Sequence, residues 1–114
     1  MVKELDTNND DYIDNNLIAP TIQRKITTTT RVTDSYLALS TDERIFCDTD
    51  GTAITVTLPA GVDGTMYQIL NVGSSDNDVT ITPDGSEKVN GSASETLYDS
   101  ENLILTYETT EGWW

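Results

Sequence analysis

Four short segments decide the fold class: Thr52-Ala-Ile-Thr-Val-Thr-Leu-Pro59, Met66-Tyr-Gln-Ile-Leu-Asn-Val-Gly73, Asp78-Val-Thr-Ile-Thr-Pro-Asp-Gly85 and Asn102-Leu-Ile-Leu-Thr-Tyr107, followed by Glu111-Gly-Trp-Trp114. Successive side chains of a strand point to opposite faces, so a period of two marks a half-buried strand. Ile54, Val56 and Leu58 share one face, with Thr55 and Thr57 on the other. Val79 and Ile81 oppose Thr80 and Thr82 in the same way, and Leu103, Leu105 and Tyr107 oppose Ile104. In the second segment Met66, Leu70 and Val72 alternate with Tyr67 and Ile69, which predicts cover on both faces. Pro59, Gly61, Gly64, Pro83-Asp-Gly85 and Val89-Asn-Gly91 punctuate the strands. No segment between them is long enough for a crossover helix. The expectation is an all-β fold, a small antiparallel β-sandwich or barrel.

Working outward, Arg44-Ile-Phe-Cys-Asp48 reads as another strand, and Asp50-Gly51 suits a hairpin turn after it. Asp34 is placed to cap a brief helical turn. Residues 1–33 are expected to form an extended N-terminal arm or anchor, and residues 34–114 the β-sandwich module. Within the arm, Ile22-Gln-Arg-Lys-Ile-Thr-Thr-Thr-Thr-Arg-Val-Thr33 is rich in β-branched residues, which favour extended backbone. Arg24, Lys25 and Arg31 make it the basic stretch of the chain. Two readings stand: an extended segment lying against an acidic neighbour, or a first strand with a basic outward face.

The chain carries 20 acidic and 6 basic residues, a formal charge of -14 over 114 residues. Such a surface repels phosphate backbones and anionic membranes, which disfavours nucleic acid and lipid as partners. A β module of this size buries little surface alone. One cysteine, Cys47, provides no internal disulfide, and the absence of histidine removes the usual zinc staples. Association with identical copies is the remaining common source of stability. Histidine-based triads and general bases are equally absent. Cys47, beside Phe46, reads as a small core residue, and no pair of carboxylates is singled out for catalysis. An enzyme is not expected. Two indoles are costly to leave in water, so at least one of Trp113 and Trp114 should be buried. The start, Met1-Val-Lys-Glu-Leu-Asp6, lacks the apolar core of a secretory signal, and synthesis in a cytoplasm is expected.

Asp6-Thr-Asn-Asn-Asp-Asp-Tyr-Ile-Asp14 resembles the calcium loop of EF-hand and dockerin proteins. Asp6, Asn8, Asp10, Tyr12 (by its carbonyl) and Asp14 fall at the ligand positions that converge on a hard cation. Asp11 replaces the turn glycine and Leu17 replaces the bidentate acid. Calcium is therefore a candidate cofactor, and an acidic arm without metal is the alternative.

The ordered set from residue 45 onward resembles a module of tailed-bacteriophage virion proteins. Its elements are a strand ending in Leu-Pro (Ile54 to Pro59), a loop with Gly61 and Gly64, and an aromatic-containing strand ending in Asn (Tyr67 to Asn71). There follow a Val-Thr-Ile-Thr-Pro strand (Val79 to Pro83), an Asn90-Gly91 turn, a last long strand (Leu103 to Thr106) and Gly112-Trp113. The resemblance implies a homotrimeric β module of capsid decoration proteins, head fibres and tail fibres. With the chain ending at Trp114, the expectation is a one-module decoration (cement) protein on the outer surface of the virion, bound to the major capsid protein. A fibre module that binds host glycan is the alternative. On this reading Ile22, Arg24, Lys25, Ile26, Arg31 and Val32 would touch the shell. Leu105, Tyr107, Trp113 and Trp114 would lie in the core or between subunits.

Overall fold

The computed structural model describes residues 28–114. Nine strands occur among them: β1 (Thr29–Val32), β2 (Tyr36–Leu37), β3 (Arg44–Cys47), β4 (Ile54–Thr57), β5 (Met66–Asn71), β6 (Val79–Thr82), β7 (Glu95–Leu97), β8 (Asn102–Glu108) and β9 (Gly112–Trp113). They form a five-stranded sheet in the order β9-β8-β5-β3-β1 and a four-stranded sheet in the order β2-β4-β6-β7. The all-β expectation holds, and no helix occurs among the described residues, at Asp34 or elsewhere.

The strand directions differ from the antiparallel expectation. β1 pairs parallel with β3 and β3 with β5, while β2 pairs parallel with β4 and β4 with β6. Antiparallel pairing is confined to β5–β8, β8–β9 and β6–β7. Both sheets are therefore mixed. From β1 to β6 the chain changes sheet at every strand, winding like a flattened coil. Parallel neighbours need a long connection, usually a helix. Here a strand of the opposite sheet serves as that connection, so a parallel arrangement arises with no helical signal in the sequence.

The Asp50-Gly51 pair shows the consequence. It joins β3 to β4, which belong to different sheets, so it is not a hairpin. A two-residue type I′ hairpin needs positive φ at both central residues, and neither Asp50 nor Gly51 has it. The corner is held instead by buried Thr49, whose hydroxyl donates to Asn71 Oδ1 at 2.8 Å. Asn90-Gly91 has the hairpin geometry, with φ of 51° and 78° between bridged Val89 and Ser92.

The inner faces close on one apolar core. Ile54, Val56, Leu58, Val79, Ile81 and Leu97 from the four-stranded side meet Val32, Ile45, Cys47, Tyr67, Ile69, Leu105 and Trp113 from the other. Trp113 is fully buried between Tyr67 and Tyr107, with ring centroids 5.6 and 5.1 Å away. Trp114 is 54% exposed, so one indole is buried and one is not. Gly61 makes room for this aromatic stack, since a Cβ there would lie 2.0 Å from the Tyr107 ring.

Two polar groups inside the domain are fully engaged. Asn71 Oδ1 accepts from Thr49 and from the Gly73 N–H, while Nδ2 donates to the carbonyls of Asn77 and Leu97. This one side chain ties β5 to β7 across the sheets. Asp42 accepts from the hydroxyls of Thr30 and Tyr36 and from the Leu39 N–H. It joins β1, β2 and the loop before β3. Burial pushes its carboxyl up, but those three donors outweigh it and hold the group below its ordinary value. Burial, with the Asp42 contact, drives Tyr36 up to about 12.

Candidate interaction surface

The outward faces of the sheets are built from the positions that alternate with the core. On the five-stranded sheet, strand pairing sets them in rows. Trp114 lies beside Thr106, where N–H···O bonds in both directions extend the ladder past β9. Thr106 stands opposite Met66. The next row runs Ile104, Gln68, Arg44, Thr29, and the third Asn102, Leu70, Phe46, Arg31. Val72 continues the surface beyond β5. Met66, Val72, Ile104 and Trp114 are each about half exposed, at 48%, 47%, 55% and 54%. The expected cover on both faces of β5 is absent within the described residues: Tyr67 and Ile69 are buried, whereas Met66 and Val72 face outward.

A polar seam crosses this apolar surface. Arg44 Nε donates to Gln68 Oε1 at 2.7 Å, and Gln68 Nε2 donates to Asn102 Oδ1 at 3.2 Å. Arg31 is ion-paired with Asp48 at the β1 edge. Glu108, on the outward side of β8, accepts from the N–H groups of Thr110 and Glu111 in its own turn. The seam went unread in the sequence because Gln68 and Asn102 become neighbours only through the β5–β8 register. The one available signal was the outward parity that Ile104 and Gln68 share with Met66 and Leu70.

The four-stranded sheet presents the opposite character. Its outward positions are Leu37 on β2, Thr55 and Thr57 on β4, Thr80 and Thr82 on β6, and Thr96 on β7. Thr82 donates to Thr57 across the β4–β6 pair at 3.3 Å. Hydroxyls on β-branched stems satisfy the strand preference and leave this face wettable.

The residues expected at partner contacts divide by location. Ile22, Arg24, Lys25 and Ile26 lie outside the described residues, as do Asp6, Asn8, Asp10, Tyr12 and Asp14 of the calcium-like loop. Thr29–Val32, within the span expected as an arm, pairs with β3 as the edge strand of the five-stranded sheet. Arg31 points to solvent and Val32 into the core. Leu105 and Trp113 are core residues, and Tyr107 packs against them partly buried. Trp114 alone of that set is open to a partner.

Among the described residues no group of three or more His, Cys, Asp or Glu side chains is arranged to hold a metal. Cys47 is buried, and burial pushes its thiol up to about 12, so it is held as an unreactive thiol. Glu87 accepts from the Gly61 N–H at 3.1 and 3.2 Å and lies 3.4 Å from Trp113 Nε1. Its role is to close the end of the aromatic core. No described helix is long and apolar enough to cross a membrane. In comparison with known proteins, no protein-family model and no curated sequence matches the chain.

Proposed function

We propose that this chain is a virion structural protein of a tailed bacteriophage, a decoration (cement) protein that binds the outer surface of the assembled head as a homotrimer. The observation that supports this reading is where the resembling elements fall. The Leu-Pro strand is β4, the aromatic strand is β5, the Val-Thr-Ile-Thr strand is β6, the last long strand is β8, and Gly112-Trp113 is β9. Each recurring strand sequence thus falls on one strand of the two-sheet core, and the Gly61/Gly64 and Asn90-Gly91 pieces fall in the connections between them. The work of such a protein is thermodynamic. A ligand that binds the assembled shell and not its dissociated subunits stabilises the shell by about 2.7 kcal/mol per site at a hundred times its Kd. An acidic, two-sheet domain whose buried Asn71 and Asp42 side chains are held by internal hydrogen bonds suits a role of occupancy, not turnover.

The test is co-sedimentation of the full chain with empty expanded heads, read together with the temperature at which the heads rupture. Binding with a raised rupture temperature is the expected result. No binding to heads, combined with retention on a glycan array, would replace this reading with that of a fibre module. Exposed Tyr98 and Trp114, 59% and 54% accessible, are the side chains that would then stack on sugar rings.

A further inference from the structure

Among the described residues nothing packs over the outward face of the five-stranded sheet. Six apolar side chains, Phe46, Met66, Leu70, Val72, Ile104 and Trp114, lie on it across the neighbouring strands β3, β5 and β8 and the C-terminal ladder. Large apolar side chains gathered on one exposed sheet face, even one crossed by the Arg44–Gln68–Asn102 seam, mark an interaction site. We infer that this face is where copies of the chain pack against one another, the β1–β3 side of one copy against the β8–β9 side of the next.

The distribution of charge selects a second copy as the occupant. Of the 20 acidic residues, Glu4, Asp6, Asp10, Asp11 and Asp14 precede residue 28, which leaves 15 in the described domain. Of the 6 basic residues, Lys3, Arg24 and Lys25 precede it, which leaves Arg31, Arg44 and Lys88. Two copies of such a domain repel one another across most of their surfaces. This face is the exception. The carboxylates beside it include Asp48, paired with Arg31, Asp50, which Arg31 also attracts and which accepts from the Ser74 N–H, and Glu108, which accepts from its own turn.

The face is also polarised. Arg31 and Arg44 lie on the β1–β3 side, and Trp114 and Glu108 on the β8–β9 side. Rotating one copy against another so that the β1–β3 side of one meets the β8–β9 side of the next brings guanidinium groups toward an indole and a carboxylate, a favourable cation–π and charge arrangement. The same face turned on itself about a two-fold axis through its centre would make the same pairing. A head-to-tail offset closes into a ring when the rotation permits. The internally bonded Arg44–Gln68–Asn102 seam can be covered with little loss of hydrogen bonding to water.

This assignment deepens the trimer reading above and rests on it only for the number of copies. The test is sedimentation of the full chain over a concentration series, with variants Ile104→Asp, Trp114→Ala and Leu37→Asp. Circular dichroism checks that each variant folds. The wild-type chain should be an oligomer. Ile104→Asp should weaken association roughly tenfold or more, as expected for a charge placed centrally in an interface, and Trp114→Ala should weaken it to a smaller degree. Leu37→Asp, equally exposed on the opposite sheet at 62%, should leave association unchanged. A monomeric wild-type chain would overturn the assignment, and head binding would still be decided by the co-sedimentation above. An oligomer broken by Leu37→Asp and indifferent to Ile104→Asp would keep the assembly and move it to the threonine face.

Discussion

The two sheets enclose the same core and turn different exteriors to solvent. The four-stranded sheet alternates aliphatic and threonine positions, so it is finished on both sides: Val79 and Ile81 are fully buried while Thr80 and Thr82 face outward. The five-stranded sheet carries the large aromatics and the buried polar ties inside, and apolar side chains outside as well. A strand with one apolar face specifies where it packs once. A strand with two, such as Met66–Asn71, asks for a second layer that the described residues do not provide. The difference teaches that one sheet, the five-stranded, carries both the main anchor of the core and an apolar exterior, while the other is finished on both sides.

That contrast is breakable, first from the inside. Trp113→Ala removes the largest fully buried side chain and the centre of the aromatic stack. It should cost about 3–5 kcal/mol in urea unfolding. The corresponding core change on the other sheet, Ile81→Val, should cost about 0.5–1.5 kcal/mol. Near equality of the two would dissolve the claim that the five-stranded sheet carries the main anchor.

Asn71→Ala comes next. It leaves the Thr49 hydroxyl, the Gly73 N–H and two carbonyls without their partner. Each orphaned buried group costs about 1–3 kcal/mol, so a loss of about 3 kcal/mol is expected after partial relaxation. A loss under about 1 kcal/mol would mean that the sheets are joined by apolar packing alone.

A smaller effect is expected from the Asp42 network, and it is legible in pH. The folded carboxyl lies below its ordinary value. The stability it contributes is present above the ordinary carboxyl range near pH 4 and is lost as pH falls through the depressed folded value. Asp42→Asn should flatten that acid limb. Tyr36 runs the other way. Raised to about 12 from 10.0, it contributes stability that is full below pH 10 and lost as pH rises toward 12. Tyr36→Phe should remove this alkaline limb. Unchanged limbs in both variants would show the network to be energetically idle.

The smallest change belongs to the outer threonines. Thr55→Val and Thr80→Val should each shift unfolding free energy by no more than about 0.5 kcal/mol, measured at a concentration where association does not contribute. A larger loss would give the Thr-rich face a structural role that its single cross-strand hydroxyl contact does not predict.

Several of these features were readable from residues alone. Alternation in 54–58, 79–82 and 103–107 placed every inward side chain of β4, β6 and β8, because one apolar face admits one orientation. Cys47 in the core and one buried indole followed from the cost of hydrating those groups. The direction of pairing was not readable. Alternation fixes which way a side chain points and is silent on which strand lies beside it. Asp50-Gly51, a hairpin pair by composition, became a sheet-to-sheet corner because Thr49 is bound to Asn71, a residue 22 positions away.

The order of amino acids by itself determined the positions and inner faces of the longer strands, the charge and the lack of histidine, since these depend on local sterics and side-chain type; it did not show the short strand Tyr36–Leu37, where a capped turn was expected. Tertiary structure alone decided the parallel winding between sheets, the Asn71 and Asp42 ties, and the gathering of Phe46, Met66, Ile104 and Trp114 onto one outward face. Those depend on register between segments far apart in the chain, and register is set by how two whole faces pack together.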